Sequence, residues 1–382
     1  MIQTIGVIGG GQLGRMFALD AKRMGYDVIV LDPQPRSPCG QVADEQIVAA
    51  YDDLLAIEDL GKRSDVVTYE FENIAIDSVR HLEANGFPVT PASSVLAITQ
   101  NRLREKTFVC ELGIPVAPFA PVQSERDAAQ AAQNVGFPAV LKTVRGGYDG
   151  KGQWRLHDAV SVQRALQQAE GAPLIWERFV DFEREISVIC TRNAKDEIVS
   201  YAPAENVHDR GILSMSIVPA RASGQTQRLA QAHAAKIAQA LQIVGTFCVE
   251  FFAMIDGTLL VNEIAPRPHN SGHYTMDATP CSQYEQHIRA ICGLPPAQPQ
   301  LLRNAIMVNI LGAGTGDILQ GTGDLLKYPA LELHMYGKKH AVDRRKMGHF
   351  TMLFEGPVTE AEIAQAQAAL ALLRWSDAPS RR

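Results

Sequence analysis

Paired cysteines are missing from this chain. Its six cysteines (Cys39, Cys110, Cys190, Cys248, Cys281 and Cys292) are scattered without a C-x-x-C pair. That spacing indicates neither a structural zinc site nor a disulfide framework, and it suits a reducing compartment. An excess of positive charge is also missing: 36 Lys and Arg stand against 42 Asp and Glu, a net charge of −6. A polyanionic partner such as a nucleic acid or an anionic membrane is therefore not expected, although a local basic pocket remains open. No apolar run approaches membrane-spanning length, and no basic segment precedes the first glycine loop. Internal repeats and low-complexity tracts are absent as well. These exclusions point to a soluble, cytoplasmic, globular protein, and 382 residues are enough for two or three domains.

The chain opens on a glycine-rich turn, "GVIGGGQLGRM", between an apolar run and a helical pattern. Gly9, Gly11 and Gly14 fit G-x-G-x-x-G, "YDVIVLD" supplies a second strand, and Asp32 stands where a ribose-binding acid would stand in a dinucleotide fold. An NAD-dependent oxidoreductase is the first reading. It weakens over the next segment. Strands ("TIGVIGG", "DVIVLD", "QIVAA", "DVVTYEF", "PVTP") alternate with helices (Gln12 to about Met24, and "SVRHLEANG") for only about a hundred residues. That length makes one mononucleotide-sized half of a doubly wound parallel sheet, and a dinucleotide needs two.

A single helix is predicted over "SVLAITQNRLREKTFVCELG", followed by the proline-spaced connection "IPVAPFAPV". Beyond it the pattern changes. The strand "FPAVLKT" leads into "VRGGYDGKGQ", then come a helix near Asp158 to Glu170 and the strand "LIWERFV". Strands dominate afterwards: "REISVIC", "EIVSYAPAEN" and "ILSMSIVPA". The helix "TQRLAQAHAAKIAQALQIVG" precedes a hairpin turning at Asp256-Gly257, and the tail carries "NAIMVNIL", "LELHMYG" and the helix "TEAEIAQAQAALALL".

Three places carry chemistry. In "AVLKTVRGGYDGKGQ", Lys142 on a strand, a loop of four glycines and Lys151 supply the ammonium charge and backbone N–H groups that fold over a triphosphate. The loop is no Walker motif, because Arg145 occupies the first glycine position. A plain glycine-rich hairpin with a solvated lysine is the alternative. On the second hairpin, Glu250 and Glu263 would face one another among residues that belong in a core, where an unpaired carboxylate is costly. A shared magnesium ion with nucleotide phosphates would relieve that cost, and Asn262 beside Glu263 favours this reading over two edge ion pairs. Directly after it, "APRPHNSGHYT" holds Arg267 and His269 between stiffening prolines, a cation and a titratable ring beside the proposed metal. The basic run "YGKKHAVDRRK" assigns nothing by composition.

Taken together, "KTVRGGYDGKGQ", "WERFVDFEREISV", "VEFF…VNEIAPRPHNSGH" and "YGKK…RRKMGH", with "GVIGGGQLGRM" and "TYEFENI", resemble the ATP-grasp enzymes, most closely the N5-carboxyaminoimidazole ribonucleotide synthetase family of purine biosynthesis. The resemblance covers nearly the whole chain. It implies a mixed α/β and α+β fold in three parts: an N-terminal half-Rossmann, pre-ATP-grasp parallel sheet over residues 1–100, a small lid subdomain with its linker helix over 101–178, and a large subdomain with a small β-rich, substrate-binding C-terminal portion over 179–382. It implies ATP- and bicarbonate-dependent carboxylation of 5-aminoimidazole ribonucleotide through carboxyphosphate, with ATP and Mg2+ as cofactors and a homodimer as the assembly.

It also implies site residues. Arg102 and Lys142 would contact ATP phosphates, and the loop Gly147, Tyr148, Asp149, Gly150, Lys151, Gly152 and Gln153 would close over them. The backbone of Glu177, Arg178, Phe179 and Val180 would hold adenine, Glu185 the ribose, and His208 would lie near the nucleotide. Glu250 and Glu263 would carry magnesium, with Asn262 beside them. Arg267 and His269 would hold bicarbonate or its phosphorylated form, and Lys338 would join them in catalysis. Tyr148, Asp149, Glu72, Lys338 and Arg345 would orient the ribonucleotide, and the backbone around Gly11, Gln12 and Leu13 would receive its 5′-phosphate. Asp32 is left with local hydrogen bonding before Pro33. Among alternatives, a formate-dependent glycinamide ribonucleotide formyltransferase shares the "PRPH" region but is not expected to carry "GGYDGKGQ" or "HNSGH". The oxidoreductase leaves the lid, the carboxylate pair and the basic cluster unexplained. A catalytically silent nucleotide-binding protein would not need every one of these residues.

Overall fold

Three sheets carry the site. The computed structural model describes residues 2–146, 152–314 and 316–376. The first sheet is parallel throughout, with strands in the order Glu45–Ile47, Asp27–Leu31, Thr4–Ile8 and Val66–Tyr69. Its central strands are apolar on both faces, as a sheet covered by helices on both sides must be. Gly9, at φ +102°, lets the chain turn from the first strand into the helix Gln12–Arg23. The predicted strand "PVTP" reduces to one parallel bridge, Val67 to Val89, because Pro88 and Pro91 flank it and lack the N–H groups a ladder needs.

The predicted single helix is two, Ser93–Thr99 and Arg102–Glu111. Asn101 breaks it: its backbone is extended and its side chain accepts from Arg104 N–H, capping the second helix. A four-stranded antiparallel sheet follows, in the order Phe119–Val122, Leu174–Arg178, Ala139–Thr143, Gln153–Leu156. Its helix Ala159–Gln168 starts in a capping box built by Asp158 and Ser161.

The large sheet has nine strands. Leu259–Ala265, Gly245–Ala253, Arg184–Arg192, Ala204–Asp209 and Ile212–Val218 continue directly into Asn304–Leu311, Lys346–Phe354 and Leu331–Met335, with Ile198–Ser200 on the flank of Arg184–Arg192. The C-terminal strands thus extend the sheet that carries the Glu250–Glu263 hairpin. Helix Gly224–Leu241 packs its apolar side, including Ala230, Ala234, Ile237 and Ala238, against that hairpin's buried Phe247, Val249, Phe251 and Ile264. Among the described residues no helix is long and apolar enough to cross a membrane.

Candidate active site

Glu250 and Glu263 are direct cross-strand partners, at a bulge where the register shifts between Glu250 and Phe251. The turn at Asp256-Gly257, with Gly257 at φ +84°, sets that register. Burial and the facing Glu263 carboxylate push the Glu250 carboxyl up to about 7. A third carboxyl adjoins them: Glu105 is buried, accepts from Ile264 N–H at 3.1 Å, and is driven well above the ordinary range by burial and by Glu263. Two facing carboxylates short of positive charge make a donor set for a hard divalent cation, so the residues fit Mg2+.

Arg267 and His269 stand next to this pair. Arg267 donates from Nε to Glu72, a contact that reaches across to the segment following the parallel sheet. His269 Nε2 lies 3.7 Å from Glu250 Oε1, and its Nδ1 accepts from Ser271 N–H at 3.3 Å. The ring's proton is therefore assigned to Nε2, on the Glu250 side. Burial and the neighbouring Arg267 hold the imidazole well below its usual pKa, so it is neutral at pH 7.

The cations predicted to meet phosphate are organised differently. Lys142 Nζ lies 2.8 Å from Glu177 Oε2, and Lys106 Nζ lies 3.6 Å from the same oxygen. Burial pushes Glu177 up, but the two ammonium groups outweigh it and hold the carboxyl below its usual range. Arg102 donates from Nη1 to Thr143 O at 3.0 Å, which places it beside the Lys142 strand. In the hinge, Arg178 N–H is spent on Pro118 O and Phe179 N–H on Pro138 O. Neither of these two N–H groups is left for a ligand. Gly152 and Gln153 lead into the strand Gln153–Leu156, with Gly152 at φ +65°. Gly147, Tyr148, Asp149, Gly150 and Lys151 lie outside the described residues.

Glu185 and His208 come together from neighbouring strands: His208 Nδ1 is 3.0 Å from Glu185 Oε2, an ion pair out of line for a hydrogen bond. Burial lowers the His208 pKa, yet Glu185 and Glu250 raise it overall. Asn262 offers its carbonyl oxygen to Lys106 at 3.3 Å.

The N-terminal loop holds one carboxylate already. Glu70 accepts from Gly11 N–H and, at 2.6 Å, from Gly14 N–H, occupying donors at the helix start. Asp32 does more than local bonding. It accepts from Gln34 N–H at 2.8 Å, from Gly10 N–H at 2.7 Å and from the Tyr51 hydroxyl at 2.7 Å, which fixes the glycine turn. Of the predicted trio, Gln12 and Leu13 are the positions left for a phosphate. Lys338, whose charge is felt by Glu70, donates to Lys346 O at 2.6 Å, and Gly337 O accepts from Gln41, so the basic segment docks on the N-terminal part. Arg345 lies on the same segment, with Nη1 3.5 Å from His340 O.

Four participants escape sequence reasoning: Glu70, Glu105, Lys106 and Lys346. Lys346 acts electrostatically on Glu250, His208 and His269, so it faces the carboxylate pair. The remaining three act across long sequence separations, and no local pattern marks them.

Three family models match the chain: a ribonucleotide synthetase preATP-grasp domain over residues 2–100, an ATP-grasp domain over 107–284, and a phosphoribosylaminoimidazole carboxylase C-terminal domain over 305–362. The N5-carboxyaminoimidazole ribonucleotide synthase of Bacillus subtilis is 47% identical over 350 residues, 92% of this chain and 91% of that protein. Among solved structures, the ADP complex of an N5-carboxyaminoimidazole ribonucleotide synthetase superposes with a TM-score of 0.91 at 47% identity, covering 97% of this chain and 96% of the other. The Aspergillus clavatus N5-carboxyaminoimidazole synthase, in complex with ADP and 5-aminoimidazole ribonucleotide, superposes with a TM-score of 0.89 at 32% identity, covering 97% and 98%.

Proposed function

The chain belongs to the N5-carboxyaminoimidazole ribonucleotide synthases of the ATP-grasp superfamily, and from that membership we infer that it is an ATP-dependent ligase acting on 5-aminoimidazole ribonucleotide. The observation that carries the reading is the facing of Glu250 and Glu263, with Arg267 and His269 beside them and the Lys142–Glu177–Lys106 group on the phosphate side.

We propose bicarbonate as the carbon source and Mg2+ as the metal. Glu250 and Glu263 would hold the ion, which when bound neutralises phosphate charge. Phosphoryl transfer needs positioning and charge stabilisation above all. Lys142 and Arg102 approach the γ-phosphate, and a bicarbonate oxygen attacks phosphorus as ADP leaves, giving carboxyphosphate. Arg267, aligned by Glu72, holds the carboxylate end, and the neutral His269 donates from Nε2 to an oxygen of the same group. Carboxyphosphate then releases its carboxyl carbon to the exocyclic amine of the ribonucleotide, which loses a proton, and phosphate departs. The Gln12 and Leu13 N–H groups receive the 5′-phosphate, with Lys338 and Arg345 orienting the sugar and base. Glu185 and His208 face the nucleotide ribose. Exclusion of water matters for an intermediate that hydrolyses readily, and the family resemblance assigns it to Tyr148 and Asp149, which lie outside the described residues. A cytoplasmic homodimer is the assembly we propose from the family resemblance, and light scattering of the purified protein tests it.

The deciding experiment is ADP release with Mg–ATP, crossing aminoimidazole and glycinamide ribonucleotides with bicarbonate and formate. Release that requires aminoimidazole ribonucleotide, with bicarbonate carbon in the product, is expected. Dependence on glycinamide ribonucleotide and formate would overturn the substrate assignment and leave the fold standing.

A further inference from the structure

A second group of metal-competent side chains lies outside the carboxylate pair. His334 and His349 are opposite one another on the last two strands of the nine-stranded sheet, and their rings stack with centroids 4.6 Å apart. Asp277, in the short helix Thr275–Ala278, brings its two carboxylate oxygens to 3.0 and 3.1 Å from His334 Nε2. One donor atom from each of Asp277, His334 and His349 falls within 4.8 Å of the others.

The independent observation is an orphaned ring nitrogen. His349 is fully buried; Tyr336 Oη sits 2.9 Å from its Nδ1, and its Nε2 is buried with no hydrogen-bond partner. If Nδ1–H donates to Tyr336, Nε2 presents a bare lone pair, the state in which imidazole ligates a metal while a second partner fixes its tautomer. His273 repeats the arrangement alongside: Tyr284 Oη lies 3.0 Å from its Nδ1, its Nε2 is also buried and unpartnered, and its ring centroid is 4.6 Å from that of His349. Native proteins rarely leave two such atoms unsatisfied.

We propose that Asp277, His334 and His349 form a binding site for a divalent transition-metal ion, distinct from the Glu250–Glu263 site, with water completing the coordination. Two imidazoles and one carboxylate favour Zn2+ or Co2+ over Mg2+, which prefers oxygen ligands. Zinc bonds of about 2.0–2.2 Å place neighbouring donors roughly 3–3.5 Å apart, so small side-chain rotations close the present spacing. The ion has a way in, since the His334 side chain is 25% exposed. Bound there, it would tie the C-terminal strand pair to the segment that follows Arg267 and His269.

The test is Co2+ titration of the EDTA-stripped full-length protein, followed by visible d–d absorption and by the shift in thermal midpoint. One equivalent with bands of a low-coordinate, imidazole-ligated ion is expected, together with a raised midpoint. Both should be retained in Glu263→Gln and lost in His334→Ala, a partly exposed position whose circular dichroism should remain that of the wild type. His349→Gln serves as the second variant and should lose the bands as well. Absence of bands at stoichiometric Co2+, or bands that survive His334→Ala and vanish in Glu263→Gln, would overturn the proposal.

Discussion

Glu177 and Glu250 are both sequestered carboxylates on neighbouring sheets, and the protein treats them in opposite ways. Glu177 is surrounded by Lys142 and Lys106 and is held ionised. Glu250 faces another carboxylate and is pushed up to about 7. The first carboxylate is met by two ammonium groups, whereas the second stands opposite another carboxylate. An ion pair formed within the protein mainly positions its members, while two facing carboxylates favour a cation between them. The same contrast would separate the two ends of the proposed ATP site, with lysines positioned by Glu177 at one and facing carboxylates at the other.

The strongest way to break this contrast is Glu263→Gln. Removing one of two proposed metal ligands should reduce kcat roughly a thousandfold, equivalent to ~4 kcal/mol in the barrier. Steady-state ADP release checks it, and near-normal turnover would remove the metal assignment. Glu177→Ala attacks the other side. It strands two buried ammonium groups and should destabilise the protein by about 3 kcal/mol, read from the denaturation midpoint, and a Lys106→Met partner substitution should recover part of that loss.

The pH dependence sharpens the comparison without changing both sites at once. The Glu250 carboxyl binds its proton more tightly in the folded protein than in the unfolded chain, where 4.5 is ordinary. The native state therefore carries the extra proton between about pH 4.5 and 7, and metal-free stability should fall as pH rises through that window, by on the order of 3 kcal/mol. Glu250→Gln should flatten the slope, and Mg2+ affinity should strengthen as pH passes 7. Thermal scans with and without Mg2+ follow both. The smallest effect is expected at the ribonucleotide: Lys338→Ala or Arg345→Ala should raise its apparent KM roughly tenfold (~1.4 kcal/mol) while moving that of ATP much less. An equal rise in both would make these residues structural.

The elements with strong periodicity were legible in the sequence. The glycine turn and its helix, the strand bearing Lys142 and the hairpin that opposes Glu250 to Glu263 all follow from local pattern, and the hairpin register followed from where Asp256-Gly257 sits. The split at Asn101 was missed because one side-chain cap outweighed a continuous apolar pattern. Glu70 and Lys106 were missed for a different reason: their partners, Gly11 and Glu177, come from distant strands and loops. Asp32 had the residue type of a ribose ligand, yet in the fold its carboxylate is consumed by Gly10, Gln34 and Tyr51.

The pair between Glu72 and Arg267 joins residues 195 positions apart. During synthesis the N-terminal sheet emerges and can fold long before Arg267 is made. Glu72 must then wait on the nascent chain for its partner, and Arg267 arrives only after the strand bearing Glu263 has been translated. Glu250, Glu263 and Arg267 follow in that order along the chain, so the carboxylate pair and the arginine are completed long after Glu72. A chain that stops short of Arg267 therefore carries the glycine turn and Glu72 without the arginine that Glu72 holds in the finished fold.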